Sequence, residues 1–214
     1  AKIPVIESGI EAMAELIERN IPICATECFS ISQTIAICDL YERISKKKDK
    51  SPPFFITHIT GIFDEEIKAY VEREKVNISP KIAHEAGSIV ARKAYRVLKE
   101  RGYRAALLCG GARGTHHFTE LVGGDLHVTL NWSTIEELIA SGSQVVSRID
   151  VQTPQEVIDE LSNKLPDFKK AYYEDGLKTK DFKNFAPLQR FRNNFLEGWN
   201  HLLREIANLR EKLS

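Results

Sequence analysis

Ala1-Lys2-Ile3-Pro4-Val5, followed by Ser8-Gly9-Ile10-Glu11 and then by Ile21-Pro22-Ile23-Cys24-Ala25-Thr26, decides the fold class. Two short apolar runs flank a segment in which Ile10, Met13 and Ile17 recur at helical spacing. Strand, helix and strand in that order make the unit from which parallel sheets are built. Ser8 with Glu11 has the spacing of a capping box that would open the helix.

The alternation continues downstream. Ile31, Ile35 and Cys38 fall on one helical face, Phe54-Phe55-Ile56-Thr57 supplies a third strand, and a helical stretch is expected from Asp64. Pro80 suits a first helical turn, and Ile82, Ala86, Ile89, Val90 and Val97 stripe a long helix that Gly102 ends. Ala105 to Cys109 reads as the fourth strand and Asp125 to Leu130 as the fifth, with Ser133 and Glu136 as a second capping box for a helix through Leu138 and Ile139. The predicted class is α/β in a single domain of residues 1–214, with five βα units in 1–140 and a helical extension in 141–214. The extension ends in an amphipathic segment with Phe191, Phe195, Trp199, Leu202, Ile206 and Leu209 along one side. That stripe is expected to be core, packed across the outside or mouth of a barrel or against a second copy of the chain in a homo-oligomer.

Composition excludes several classes. The 214 residues are 43% hydrophobic, and 30 basic side chains balance 30 acidic ones. A nucleic-acid partner is not expected, because a duplex-binding domain carries a clustered positive excess and the one basic run, Lys46-Lys47-Lys48, sits in a polar loop before Pro52-Pro53. No apolar stretch approaches the roughly 20 residues that cross a bilayer, so no membrane partner is expected either, and a cytoplasmic location follows as the expectation. Cys24, Cys28, Cys38 and Cys109 have no paired spacing and read as buried thiols.

Five βα units are too few for a closed barrel, which needs eight strands and about 250 residues. An open five-stranded parallel sheet leaves two unpaired edges and strips one face of its packing partners. Strands from an upstream segment or a companion chain are therefore expected to complete the sheet.

By itself a lysine at position 2 is a solvated terminal side chain. Its surroundings give it another meaning. Lys2-Ile3-Pro4 with Gly9-Ile10, Thr26 with Phe29-Ser30 and Gln33, Thr57, and Arg113 within Cys109-Gly110-Gly111-Ala112-Arg113-Gly114 resemble, in order and spacing, the landmarks of the transaldolase family from its fourth barrel strand onward. The resemblance implies a TIM (β/α)8 barrel of transaldolase type, of which this chain holds strands 4–8 plus the helical extension, the upstream segment or companion chain supplying strands 1–3. It implies Lys2 as the Schiff-base nucleophile, Thr26 holding the catalytic water, and Thr57 and Arg113 contacting substrate. The substrate would be a sugar phosphate, the reaction transfer of a three-carbon dihydroxyacetone unit in pentose phosphate metabolism, and neither cofactor nor metal is implied.

The residue types suit that chemistry. An amine attacks a carbonyl only when neutral, which a desolvated barrel interior favours, and the imine then serves as an electron sink for cleavage of the neighbouring carbon–carbon bond. A guanidinium after a Gly-Gly turn suits a phosphate better than an ammonium does. The family's strand-1 aspartate and strand-3 glutamate are not in this chain, a second phosphate arginine is replaced by Ile62, and a substrate-orienting asparagine by Cys24. Glu27 is an acidic side chain the family does not lead one to expect, read here as solvated surface with a substitute acid–base role as the alternative. His116-His117 and His127 could together suggest a metal, but no HxxE or HExxH arrangement accompanies them, and they read as polar lining or surface. Asp39 and Tyr41 fall on a helix and receive no catalytic role. A fructose-6-phosphate-aldolase-like enzyme is the near variant of this reading; an inactive barrel remnant with an assembly or binding role is the alternative of another class.

Overall fold

A computed structural model describes residues 1–213. Five parallel strands, β1 (Lys2–Pro4), β2 (Ile23–Cys28), β3 (Phe54–Ile59), β4 (Ala106–Gly110) and β5 (His127–Val128), lie side by side in sequence order, so each crossover joins neighbours. The expected α/β class is the observed one. Strand limits move by at most two residues, and the fifth strand shortens to two residues, with the Thr129 amide adding one further bond to the Cys109 carbonyl.

Helices α1 (Glu7–Glu18), α2 (Ile31–Ser45), α3 (Thr60–Glu74), α4 (Pro80–His84) and α5 (Ala86–Glu100) connect the first four strands. The short α6 (His116–Thr119) precedes β5, and α7 (Trp132–Ser141) follows it. Residues beyond 141 form α8 (Gln155–Lys164), α9 (Pro166–Tyr172), a 3-10 turn at Thr179–Asn184 and α10 (Ala186–Leu213).

Two buried clusters hold these parts together. One packs the helix-facing strand residues Ile23, Ala25, Phe54, Ile56, Leu107 and Cys109 against α1, α2 and α5. The other lies between helices, where Phe63, Ile67, Ile89 and Val90 of α3 and α5 meet Leu161 of α8 and Phe168 of α9. Through it α8 and α9 become part of the body of the domain. A buried ion pair, Arg92 Nη1 to Glu120 Oε2 at 2.5 Å, extended by Arg148 to the same carboxylate at 2.6 Å, ties the segment before α8 to α5.

Several local expectations change. The Ser8–Glu11 capping box does not form, because α1 starts earlier, with Ile6 at its N-cap and no side-chain cap. The Ser133–Glu136 box is likewise replaced, since Asn131 is the N-cap and accepts from the Thr134 amide at 2.8 Å. Helix α3 begins at Thr60 rather than Asp64, and the long helix expected from Pro80 breaks into α4 and α5 at Glu85. The break has a tertiary cause: the Asp64 carboxylate accepts from the Gly87 amide at 2.6 Å, capping the start of α5 from a neighbouring helix.

The α10 stripe is not core in this chain beyond its first turns. Phe191 is half-buried and meets Phe29 edge-on at 6.4 Å, whereas Phe195, Trp199 and Leu209 are 66%, 59% and 57% exposed. The helix meets β2 and α3, and the large apolar side chains of its later turns stay exposed.

His58 is buried on the helix side of β3, with its Nε2 2.7 Å from Thr34 Oγ1 and 3.5 Å from Cys28 Sγ. Burial pushes its pKa down from 6.5 to about 4. The unfolded chain therefore takes up this proton first as pH falls, so stability that is complete above pH 6.5 declines toward pH 4 by up to about 1.4 kcal/mol per unit. Urea midpoints measured between pH 7.5 and 5 are expected to fall in the native protein and to fall less steeply in His58→Gln.

Candidate active site

Strand register sorts the side chains onto two faces. Lys2 pairs with Cys24, Pro4 with Thr26, Cys24 with Phe55, and Thr57 with Leu108, which pairs with His127. Residues in register share a face, and alternate residues point the other way. Lys2, Cys24, Thr26, Phe55, Thr57, Leu108 and His127 thus occupy one face, opposite the helices. Lys2 and His127 are exposed and Cys24, Phe55 and Leu108 half-buried, while their alternating neighbours Ala25, Ile56 and Leu107 are buried. The residues read as chemical groups lie where the core does not claim them.

Within that face Cys24 Sγ lies 3.1 Å from Thr57 Oγ1, so the thiol and the threonine expected to contact substrate are in direct contact. Thr26 Oγ1 is buried and has no hydrogen-bond partner among the described residues. A buried hydroxyl in that condition is one that a water or ligand atom can satisfy.

The C-terminal ends of β1 and β2 are joined by one amide. Gln33, fully buried on α2, donates through Nε2 to the Val5 carbonyl at 2.9 Å and to the Glu27 carbonyl at 3.1 Å. Its Oε1 accepts from the Phe29 amide at 2.9 Å and from Ser30 Oγ at 3.1 Å. Ser30 in turn caps α2 by accepting from the Gln33 amide.

Arg113 stands at the rim. Its Nε meets Glu65 Oε1 at 2.6 Å, and its Nη1 donates to the carbonyls of Gly111 and Ala112 at 3.1 and 3.2 Å. It lines a cleft of about 630 Å³ with Ile62, Phe191, Asn194, Trp199 and Leu202, so α10 covers this part of the mouth. Ile62, at the missing arginine's position, is buried and apolar. Backbone amides offer little to an anion here: α6 is a single turn, and the Arg113 amide already donates to His117 Nδ1 at 3.2 Å.

Behind the loop sits a cluster that sequence reasoning missed. His117 Nε2 lies 2.7 Å and His116 Nε2 3.3 Å from Asp64 Oδ2, and the His84 ring lies against that of His116, centroids 3.9 Å apart and tilted by 41°. His127 does not join it; its ring lies against Phe55. Asp64, His116 and His117 hold potential ligand atoms within 4.8 Å of one another. However, His117 Nδ1 accepts from a backbone amide, so Nε2 carries the proton and donates to Asp64 rather than offering a lone pair. As hydrogen-bonded, the set buttresses the loop that carries Arg113. Asp64 is far in sequence from Gly87, His116 and His117, and no local spacing signals the grouping.

The sequence profile of the transaldolase/fructose-6-phosphate aldolase family matches residues 1–187, and the chain belongs to that family. Its parallel five-stranded sheet backed by helices is consistent with the family's TIM-barrel-like fold, and membership makes it a relative of transferases and aldolases. No curated protein matches the chain. No helix among the described residues is long and apolar enough to cross a membrane.

The Arg113 loop is set by close backbone contact. A Cβ at Gly61 would lie 2.0 Å from the Gly111 carbonyl oxygen and 3.0 Å from the Arg113 amide. Gly61→Ala is expected to cost about 2 kcal/mol of stability, read by denaturant unfolding, and to raise hydrogen exchange at residues 110–114 while leaving β1 and β2 protected.

Proposed function

We propose that this chain is the strand 4–8 portion of a transaldolase-type barrel that forms a Schiff base between Lys2 and a ketose phosphate. The carrying observation is the common face of Lys2, Thr26 and Thr57, which strand register assembles from three different strands. The exposed inner face of the sheet, with β1 and β5 at its edges, supports completion by strands 1–3 from an upstream segment or companion chain.

In this reading the Lys2 amine attacks the ketone carbon, and loss of water leaves the imine. The bond between the third and fourth carbons then breaks, its electrons drawn toward the imine nitrogen, and the three-carbon fragment stays on Lys2 until an aldehyde acceptor takes it. Thr26 Oγ1 holds the water that enters and leaves. Thr57 contacts the bound sugar, with Cys24 as its neighbour. Arg113 meets the phosphate through Nη2, the nitrogen that Glu65 and the loop carbonyls leave unused. A fructose-6-phosphate-aldolase-like variant, releasing dihydroxyacetone to water, is favoured by one observation: apolar Ile62 lowers the positive charge available to a doubly anchored sugar phosphate.

Two experiments test these roles. Intact mass measured after borohydride treatment with fructose 6-phosphate or dihydroxyacetone is expected to show an adduct on the native protein and none on Lys2→Ala; an adduct that survives the substitution defeats the assignment. Arg113→Ala is expected to raise KM for phosphorylated substrates by about 10- to 100-fold, the equivalent of one charge-assisted hydrogen-bond pair, and to leave turnover of unphosphorylated dihydroxyacetone donors unchanged.

A further inference from the structure

Strand β2 carries a discontinuity at the mouth of the inner face. Ala25 pairs with Ile56 and Cys28 with His58, so three steps along β2 match two along β3. The additional residue is Glu27. Its φ is +56°, in the left-handed region that side chains other than glycine and asparagine rarely adopt. Gln33 holds the distortion by donating to the Glu27 carbonyl. A bulge of this kind releases one side chain from the alternation of the strand and re-aims it, and such strain persists where the surroundings over-determine it.

The bulged carboxyl lies within electrostatic range of the Lys2 amine. Glu27 is half-buried, its nearby cations are Lys2 on β1 and Arg192 on α10, and the unpartnered Thr26 hydroxyl is the preceding residue. Burial raises its pKa above the usual carboxylate value, and the Lys2 and Arg192 charges offset part of that rise. A carboxyl whose neutral form burial favours thus sits on the strand next to the one that carries Lys2.

We propose that Glu27 is a proton-transfer catalyst of the Lys2 site, carried on the strand next to the lysine; the assignment rests on the Lys2 reading above. After Lys2 adds to the ketone, the amine proton has moved to oxygen and a carbinolamine results. The Glu27 carboxylic acid then protonates the hydroxyl, the carbon–oxygen bond breaks to release water, and the nitrogen lone pair closes the carbon–nitrogen double bond. The products are an iminium ion and the Glu27 carboxylate, which now neutralise one another. In the following step the carboxylate takes the proton of the hydroxyl on the fourth carbon as the carbon–carbon bond breaks, giving the aldehyde and an enamine on Lys2. Glu27 is thereby returned to its acid form.

The test measures the rate of borohydride trapping with dihydroxyacetone on the full-length protein, using native, Glu27→Gln, Glu27→Asp and Glu27→Gly forms, with thermal melting of each. The expected result is trapping slowed at least about tenfold in Glu27→Gln, partly restored in Glu27→Asp, and a melting temperature raised in Glu27→Gly because the left-handed position is relieved. A carboxylate that acted only as a neighbouring charge would do the opposite on removal, since it favours the ammonium form of Lys2. Trapping as fast or faster in Glu27→Gln, with the native adduct present, overturns the Glu27 assignment and leaves Lys2 standing. A melting temperature lowered in Glu27→Gly, with unchanged trapping, marks a structural residue and also overturns it. No adduct on the native protein removes the Lys2 reading and this one with it.

Discussion

The Gln33 side chain is the constraint on which the mouth of this sheet depends. Parallel strands are registered by their ladders, but ladders stop at strand ends, and the ends of β1 and β2 are where the proposed chemistry is placed. A buried primary amide with two donors and two acceptor sites can bind four backbone or side-chain groups at once, and here all four are engaged. An apolar side chain of equal size would take this partner from the Val5 and Glu27 carbonyls and from the Phe29 amide, and Val5 and Phe29 are buried. The same amide fixes the height of Lys2 relative to Thr26 and the shape of the bulge at Glu27.

A second constraint organises the other end of the site. Asp64 caps α5 through the Gly87 amide and receives His117, which in turn receives the Arg113 amide. One carboxylate therefore couples a helix start, a buried imidazole and the loop that presents a guanidinium. Its charge is compensated by the α5 dipole and by hydrogen bonds, which is the condition for a carboxylate to persist at 6% side-chain exposure. The inner face of the sheet follows a different logic: Lys2 and His127 are exposed, Thr26 and Thr57 are buried, and the Thr26 hydroxyl has no partner among the described residues.

The strand order and the α/β class were legible because each apolar run is short, is bounded by polar residues and is followed by a helical stripe. That Lys2, Thr26 and Thr57 share one face emerges from the strand register, which joins three strands far apart in sequence. Helix starts were less legible: Ser8 and Ser133 have cap-like spacing, yet Ile6 and Asn131 hold the caps, because the geometry of the entering chain decides which residue sits at the boundary. The break at Glu85 and the Asp64 cluster were hidden for another reason, their partners being brought together by packing between α3, α5 and the β4 loop. Glu27 read as surface because a bulge leaves no mark in composition. The α10 stripe was read as core from its pattern alone, and a pattern reports what a helix could bury, not whether a surface is there to receive it.

The backbone contact at Gly61 has a consequence for how this site can diversify. Helix α3 and the Arg113 loop touch main chain to main chain, so neither can drift without the other, and lengthening or shifting the loop is closed as a route to new preferences. Variation is channelled instead into side chains that look onto the cleft from fixed backbones, above all Ile62 and Phe191. A polar or basic residue at position 62 would change what the mouth accepts without asking any element to move.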